Sequence, residues 1–353
     1  MTQARWLHES LAALVERREL TAEQMRGLME EVIAGAGGEG LVAAVLVALR
    51  MKGETAVEIA AAAGVLREHM VRLETGRDDV LDTCGTGGDG SGTFNISTAA
   101  ALVAAGAGVA VVKHGNRAVS SRSGSADVLA ALGVAVERDA AFARRCLAFA
   151  GLAFCFAPHF HPALSQVAPV RRRLGVRTIF NCLGPLANPA GAAYQLLGVG
   201  RRELLDPLAG AMARLGTRHA LLVCGADGLD EVSLAGPTLV RDVRGDVVTA
   251  GEWLARDFGL APCSMADLHA AGPLESAALV RAVLDGQDGP ALRVVLANAA
   301  AALLAAERVQ NPAEGVALAT EAVHSGRARQ VLERLVACSC EDGGAVESPA
   351  LGL

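Results

Sequence analysis

Short β-rich runs alternate with helix-forming runs along much of the chain after Val80, and this alternation limits the possible folds most strongly. Strands that are separated by helices pair in parallel, because the helix returns the chain to the end of the sheet where the previous strand began. The pattern therefore predicts a mainly parallel sheet flanked by helices, which include residues 142–150 and 202–215. The predicted strands are residues 80–83, 109–113, 134–137, 153–156, 194–198 and 219–224.

Residues 1–76 contain only helix-forming stretches. Leu7, Leu11 and Leu14 recur at helical spacing, and Thr21 precedes Gln24 in a capping-box pattern that marks a helix start. We expect an α/β protein with a small all-helical N-terminal domain, residues 1–76, and a larger domain, residues 77–337. The helical surface, rich in Ala and Leu, predicts a homodimer interface.

The prolines between residues 158 and 189 predict a crossing between the two domains, with a return excursion near residues 162–190 that rejoins the helical one. Further along, residues 238–249 read as a β-hairpin with its turn at 244–246. Helices are predicted at residues 274–284, 290–309 and 313–335. Residues 338–353 combine Gly, Glu, Asp and Pro with little apolar content, and we expect them to form a mobile tail.

Composition excludes several classes of protein. Hydrophobic residues make up 52% and aromatic residues 3% of the 353, so Ala, Val and Leu have to build the core. A net charge of -6 argues against general nucleic-acid binding. No apolar run reaches the roughly 18 residues of a membrane span, and the first residues lack a signal-peptide core. The eight cysteines show no Cys-x-x-Cys pair, which predicts reduced thiols in a soluble cytoplasmic protein.

A glycine-rich stretch follows the first predicted strand. Five glycines lie between Gly85 and Gly92, where they allow backbone N–H groups to turn towards a ligand. Asn95, Ser97 and Thr98 then open an Ala-rich helix, and a helix N-terminus favours a bound anion. The stretch matches neither a Walker A sequence nor a dinucleotide fingerprint, and a glycine-rich loop by itself is often only a connection.

A second stretch has the same organisation. The predicted strand at 109–113 leads into Lys113, His114, Asn116 and Arg117, followed by a loop of hydroxyl and glycine residues and another helix start near Gly124. Parallel strands present their carboxyl ends at one edge of a sheet, so both loops are expected at the same edge. Two anion-seeking loops side by side predict a substrate that carries two separate phosphate groups.

Two further segments contain charged residues that allow both a structural and a functional interpretation. Arg171, Arg172, Arg173 and Arg177 lie within seven positions, which is typical of a solvated helix face, although one guanidinium could clamp a substrate carboxylate. The adjacent acids at 230–231 follow a strand and a turn. They read either as a solvated helix start or as ligands for Mg²⁺, which binds one or two carboxylates together with substrate phosphate, and we favour magnesium.

These motifs resemble the anthranilate phosphoribosyltransferases, a family of nucleoside phosphorylase-like transferases. The resemblance covers nearly the whole chain and rests on intact Gly-Thr-Gly-Gly-Asp, Asn-Ile-Ser-Thr, Lys-His-Gly-Asn-Arg-Ala-Val-Ser-Ser, Pro-Val-Arg and Asp-Gly-Leu-Asp-Glu motifs. It implies a small helical domain on a larger α/β domain with a hinge between them. It also implies transfer of a phosphoribosyl group from 5-phosphoribosyl 1-pyrophosphate (PRPP) to anthranilate in tryptophan biosynthesis.

The resemblance implies roles for individual residues, carried over motif by motif. Ser97, Asp230 and Glu231 would hold Mg²⁺, and Lys113 would act by its charge, with no catalytic acid or base assigned. Arg171 would clamp the carboxylate of anthranilate in a pocket with Gly85, His114 and Asn116. The residues implied to bind PRPP are Gly85, Gly88, Asp89, Thr93, Asn95, Ile96, Ser97, Thr98, Lys113, His114, Gly115, Asn116, Arg117, Ala118, Val119, Ser120, Ser121 and Ser125.

Two alternatives remain at this stage. A pyrimidine nucleoside phosphorylase of the same fold would use orthophosphate and would need no carboxylate-clamping arginine. A non-catalytic member that binds nucleic acid would need a basic groove, which the acidic composition disfavours.

Overall fold

The computed structural model describes residues 4–118 and 123–340. Its N-terminal part contains only helices, and the second and fourth begin with reciprocal capping boxes at Thr21 and Thr55, the first of which the sequence predicts. The four helices are α1 (Arg5–Val15), α2 (Ala22–Ile33), α3 (Gly38–Lys52) and α4 (Ala56–His69).

A seven-stranded sheet forms the centre of the rest of the chain, in the order β3-β2-β1-β4-β5-β6-β7. Every pair among the first five strands is parallel, whereas β6 and β7 form an antiparallel hairpin at one edge. The mainly parallel sheet is therefore confirmed. The strands are β1 (Leu81–Gly85), β2 (Val111–Gly115), β3 (Leu152–Phe156), β4 (Tyr194–Gly198), β5 (His219–Gly225), β6 (Thr238–Arg244) and β7 (Val247–Trp253).

Helices cover both faces of this sheet, and some are packed very closely. Gly106 and Gly315 lie against the backbones of Ala328 and Ala300, where a Cβ atom would come within 2.7 and 2.8 Å of their Cα atoms. The helices are α5 (Ile96–Gly106), α6 (Ser125–Ala131), α7 (Ala140–Ala150), α8 (Ala157–Phe160), α9 (Ala168–Leu174), α10 (Phe180–Leu186), α11 (Leu205–Arg214), α12 (Pro273–Leu284), α13 (Pro290–Ala305), α14 (Pro312–His324) and α15 (Arg327–Cys340).

Alternate strand residues point to two different cores, as the period of a strand requires. Leu196 and Leu221 face a core built largely from the Ala-rich helices α5 and α13. Leu197 and Leu222 face a second core that contains α1 to α4 and the segment 167–187. The segment near the predicted excursion thus packs with the N-terminal helices and also borders the sheet.

Two predictions of secondary structure are wrong. Residues 134–137 form no strand, because their apolar side chains enter the core while the Ala135 N–H donates to the Ser339 hydroxyl at 2.9 Å rather than to a neighbouring strand. The helix predicted at 313–335 is two helices, α14 and α15. They are separated near Gly326, whose φ of +75° lies in the left-handed region that interrupts a helix.

The predicted tail begins too early in the sequence. Residues 338–340 belong to α15, and Cys338 and Ser339 are buried, because this last helical turn packs on the core. Residues 341–353, the remainder of that predicted tail, lie outside the described residues. Within the described ranges, no helix combines the length and apolar character needed to cross a membrane.

Candidate active site

A cavity of about 620 Å³ lies at the carboxyl ends of β1 and β2. The glycine-rich loop enters it from β1 and the Lys113 loop from β2, so the structure brings the two predicted anion-seeking stretches together. The predicted phosphoribosyl-binding residues that line the cavity are Gly85, Gly88, Asp89, Thr93, Asn95, Ile96, Ser97, Lys113, His114, Gly115, Asn116, Arg117, Ala118 and Ser125.

The start of α5 faces this cavity. Asn95 caps the helix, since its Oδ1 accepts a hydrogen bond from the Thr98 N–H at 3.1 Å. Thr98 itself is buried and absent from the cavity lining, because it already lies on the inner side of the helix. Three other residues predicted to bind PRPP, Val119, Ser120 and Ser121, lie outside the described residues.

Lys113 is almost fully buried beside the helix start. Its ammonium group donates to the Thr83 carbonyl and, at 3.0 Å, to the Ser97 hydroxyl. Burial lowers the pKa of Lys113, and the charge of nearby Asp82 opposes that shift. Burial in turn raises the pKa of Asp82 to about 6. The protein thus holds the lysine ammonium group by two hydrogen bonds at the wall of the cavity.

Asp230 and Glu231 reach the same cavity from the turn after β5. The Asp230 carboxylate lies against Gly85, where a side chain would overlap it, and its Oδ2 accepts the Gly87 N–H at 2.8 Å. Burial and the proximity of Asp89 raise the pKa of Asp230 to about 8. Burial and the charge of Asp230 raise the pKa of Glu231 well above its ordinary range.

The donor set at this position fits magnesium. Asp230, Glu231 and Ser97 supply oxygen atoms, and Asp89 Oδ2 is buried without a hydrogen-bond partner among the described residues. Mg²⁺ is usually held by one or two carboxylates together with phosphate and water oxygens. In the described part of the chain, no three His, Cys, Asp or Glu side chains are arranged to hold a metal by themselves. Phosphate and water oxygens would supply the remaining ligands.

A second cavity of about 220 Å³ adjoins the first, and residues 84–86, 114–116 and 181 line both. All four residues predicted to bind anthranilate, Gly85, His114, Asn116 and Arg171, line this second cavity together with apolar side chains such as Leu183. The second cavity is the less polar of the two and has room for one small aromatic ring.

Arg171 is half-buried at the edge of this second cavity. Its guanidinium carbon lies 5.3 Å from the centre of the Phe180 ring, and it forms no ion pair or side-chain hydrogen bond with a described residue. Burial lowers the pKa of Arg171. A guanidinium held this way is suited to a planar carboxylate.

His114 stands between the two cavities as a neutral imidazole. Burial and the neighbouring His161 lower its pKa to about 3, and the two rings are 4.9 Å apart. Its Nδ1 lies 3.1 Å from the Gly184 carbonyl oxygen, which can only accept, so Nδ1 carries the proton. Its Nε2 is buried and has no hydrogen-bond partner among the described residues.

Sequence reasoning missed Arg177 and Asn181. Asn181 lines both cavities, and Arg177 donates to backbone carbonyls of the glycine-rich loop. The sequence pattern groups Arg177 with the solvated arginines, and nothing in it separates this residue from Arg172 or Arg173. Only its proximity to the loop in space distinguishes it.

Comparison with known proteins defines the class first. Residues 8–70 match the family model described as "Glycosyl transferase family, helical bundle domain", and residues 77–329 match "Glycosyl transferase family, a/b domain". The chain is thus a glycosyl transferase of the type that joins a helical bundle to an α/β domain.

Individual relatives narrow this class. The chain is 50% identical over 335 residues to the anthranilate phosphoribosyltransferase of Chloroflexus aggregans, a match that covers 94% of this chain and 98% of the relative. The crystal structure of the enzyme of that name from Thermus thermophilus superposes with a TM-score of 0.87 at 44% identity, covering 93% of this chain and 98% of that one. The Saccharomyces cerevisiae enzyme in complex with PRPP and Mg superposes with a TM-score of 0.86 at 29% identity, with coverages of 94% and 97%. The chain belongs to the anthranilate phosphoribosyltransferase family.

Proposed function

We propose that this chain transfers the phosphoribosyl group of PRPP to the amine of anthranilate, giving N-(5-phosphoribosyl)anthranilate and pyrophosphate in tryptophan biosynthesis. One observation carries the assignment to these residues. A polar cavity with anion-binding elements adjoins a less polar cavity whose guanidinium, that of Arg171, pairs with no described carboxylate. A diphosphorylated sugar suits the first and an aromatic acid suits the second. With both substrates bound in this way, the shared wall would bring the amine beside the sugar.

The larger cavity would neutralise the leaving group. Pyrophosphate departs from ribose C1, so negative charge grows on the phosphates while positive charge grows on the sugar. Lys113 and the N-terminal amides of α5 are held in place before the reaction and therefore need no reorganisation when that charge develops. Asp230, Glu231 and Ser97 would hold Mg²⁺, which when bound supplies further positive charge to the pyrophosphate.

The smaller cavity would orient the nucleophile. Arg171 would bind the carboxylate of anthranilate through paired hydrogen bonds, and the apolar walls would enclose its ring. The amine nitrogen then attacks C1 from the face opposite the departing pyrophosphate. We assign no general base, because the aromatic amine becomes acidic once its nitrogen bonds to C1 and can lose its proton to water or phosphate.

A single assay tests this function. Anthranilate is fluorescent, and its emission should fall when the purified protein receives both PRPP and Mg²⁺, but not when either is omitted. Phosphorolysis of thymidine or uridine, without consumption of anthranilate, would contradict the proposal and favour a nucleoside phosphorylase.

We further propose that the protein works as a cytoplasmic homodimer. The helical part supports the dimer, because Val15 of α1 and Met51 of α3 are about 70% exposed on helices that pack on one another. The cysteines support the compartment, because all eight are free, and unpaired thiols are typical of a reducing environment. The domain limits at residues 76 and 337 likewise stay predictions.

A further inference from the structure

Arg177 holds the glycine-rich loop by its carbonyl oxygens. Its Nη2 donates to the Thr86 carbonyl at 3.0 Å, and its Nη1 donates to the Gly87 carbonyl. The guanidinium lies so close to Gly88 that a side chain at that position would overlap it. The arginine therefore fills the space behind this turn of the loop.

These contacts determine how two successive peptide groups are oriented. The peptide between Thr86 and Gly87 is held at both ends, because Arg177 binds its carbonyl and Asp230 Oδ2 accepts its N–H at 2.8 Å. The next peptide, between Gly87 and Gly88, is held by its carbonyl alone. In a trans peptide the N–H points opposite to the C=O, so the Gly88 N–H points away from the guanidinium.

The Gly88 N–H is a donor without a partner among the described residues, on a residue that lines the larger cavity. The chain on either side of it is flexible by composition, and Gly87 and Gly88 adopt φ values of +64° and +69° that other residues rarely tolerate. Without a fixed partner for the Thr86 and Gly87 carbonyls, these peptide groups could rotate, and either an N–H or a C=O group would face the cavity. The arginine removes that freedom.

Arg177 also connects the two cavities through the chain. It lies between Arg171 of α9 and Asn181 of α10, both of which line the smaller cavity. Its positive charge opposes the burial that raises the pKa of Asp230. The segment that bounds the smaller cavity therefore also sets the backbone of the larger one.

We propose that Arg177 is a positioning residue that aims the Gly88 amide at an anionic oxygen of the sugar pyrophosphate, a role that rests on the function proposed above. Arg177 also lines the larger cavity, and the proposed role acts through the backbone of residues 86–88. Its loss should weaken the affinity for PRPP and leave the affinity for anthranilate nearly unchanged.

The test compares Arg177→Ala and Arg177→Lys with Arg172→Ala, a neighbouring exposed arginine that lines neither cavity. We expect Arg177→Ala to raise the KM for PRPP about tenfold, because PRPP would lose the hydrogen bond from the Gly88 amide. A loss of about tenfold is typical of one charge-assisted hydrogen bond. The KM for anthranilate should change less than about twofold, as should both constants in Arg172→Ala. Lysine should restore part of the loss, because one ammonium group can reach one carbonyl.

Rescue separates positioning from a general structural effect. Millimolar methylguanidine should lower the KM of Arg177→Ala for PRPP and should not affect the wild type. An unchanged KM for PRPP in Arg177→Ala, or equal increases in both KM values without rescue, would overturn the proposal. If Arg177→Ala fails to fold, Arg177→Lys and Arg177→Gln carry the same comparison.

Direct binding keeps this inference distinct from the overall function. Isothermal titration calorimetry with PRPP and Mg²⁺ measures the affinity of each variant without anthranilate. A wild-type protein that binds PRPP but consumes no anthranilate would refute the proposed function, while weaker PRPP binding by Arg177→Ala would still support the role of Arg177. Equal PRPP affinity in wild type and Arg177→Ala would refute that role alone.

Discussion

Lys113 and Arg171, two cationic side chains at the site, differ in whether the protein supplies hydrogen-bond partners for their charge. Lys113 donates to a carbonyl and a hydroxyl, so the protein itself provides its partners. Arg171 lies over the Phe180 ring and forms no ion pair with a described carboxylate. A charge withdrawn from water without a partner is unfavourable, so the second cation is the one that a bound acid would stabilise.

Arg171→Ala is accordingly expected to weaken the binding of one substrate, anthranilate, selectively. The KM for anthranilate should rise about tenfold to a hundredfold, because a charge-assisted, two-point contact is lost, whereas the KM for PRPP should stay within about twofold. Steady-state kinetics with each substrate varied in turn measures both. Arg173→Ala is the control, since Arg173 is exposed and paired with Glu39. Equal rises in both KM values would remove the carboxylate clamp.

Replacement of the two acids after β5, Asp230 and Glu231, is expected to change the Mg²⁺ requirement of the reaction. Asp230→Asn combined with Glu231→Gln should shift the Mg²⁺ requirement upward by about tenfold or more, because an amide cannot ionise to supply the carboxylate oxygen that Mg²⁺ prefers. A titration of activity against Mg²⁺ at saturating PRPP measures this shift. Asp246→Asn, in the exposed turn between β6 and β7, should leave the titration unchanged. An unaltered titration in the double variant would return the pair to a structural role.

We expect His114 and His161 to lower the free energy of unfolding in acid. Both are buried and their folded-state pKa values lie below the ordinary 6.5, at about 3 for His114. At these two histidines the unfolded chain binds more protons than the folded one below about pH 6.5, so their contribution to stability falls with the pH, by up to about 1.4 kcal/mol per pH unit for His114. The raised pKa values of Asp82 and Asp230 act in the opposite direction over an overlapping range. Thermal unfolding between pH 7.5 and 5 measures the slope. His161→Gln should lose less stability than the wild type as the pH falls from 7.5 to 5, and an identical pH dependence in that variant would exclude His161 as a contributor.

Helix starts show how one local motif serves two purposes. Asn95 caps α5 through the Thr98 N–H at 3.1 Å, and Asn311 caps α14 through the Glu314 N–H at 3.0 Å. The first cap faces the larger cavity, and the second lies away from both cavities. The two asparagines thus cap their helices in the same way, but only Asn95 lies at the candidate active site.

Replacement of each by Ala is expected to separate the two effects. Both variants should lose about 1 kcal/mol of unfolding free energy, the usual effect of removing an asparagine cap. Only Asn95→Ala should also raise the KM for PRPP, because it loosens the amides that face the cavity. Urea unfolding and steady-state kinetics provide the two measurements. A raised KM in Asn311→Ala would show that helix stability alone controls PRPP affinity.

Exposed apolar side chains occur on both the helical part and the larger part of the molecule. The helical part exposes Val15 and Met51, whereas Leu274 is exposed on α12 of the larger part. Scattered exposed apolar residues are ordinary in monomers, so their position has to be tested by substitution.

Light scattering at micromolar concentration should give twice the chain mass for the wild type. Val15→Glu with Met51→Glu should shift the protein towards the monomer, because two charges would be buried in the proposed interface. Leu274→Glu should leave the mass unchanged. A monomeric wild type would end the dimer proposal, and an unchanged mass in the double variant would move the interface elsewhere.

Local patterns determined much of this protein from the sequence alone. The alternation of strands and helices, the capping box at Thr21 and the loops at the strand ends depend on residues that are close in sequence, where periodicity and backbone preference act directly. The parallel sheet follows from them, and the resemblance to the family rests on the motifs of residues 85–89, 95–98 and 113–121. The same reasoning failed at residues 134–137, because strand formation also requires a neighbouring strand, and the Ala135 amide found Ser339 instead.

Only the tertiary structure decided how the site is assembled. Arg177 and Gly87 are 90 positions apart, and Asp230 and Gly87 are 143 positions apart, yet both side chains bind the same loop. The sequence shows that these charges exist but not which backbone groups they meet. Such contacts arise when β1, β5 and the segment before α10 converge on one edge of the sheet, and long-range packing of this kind has no local pattern to reveal it.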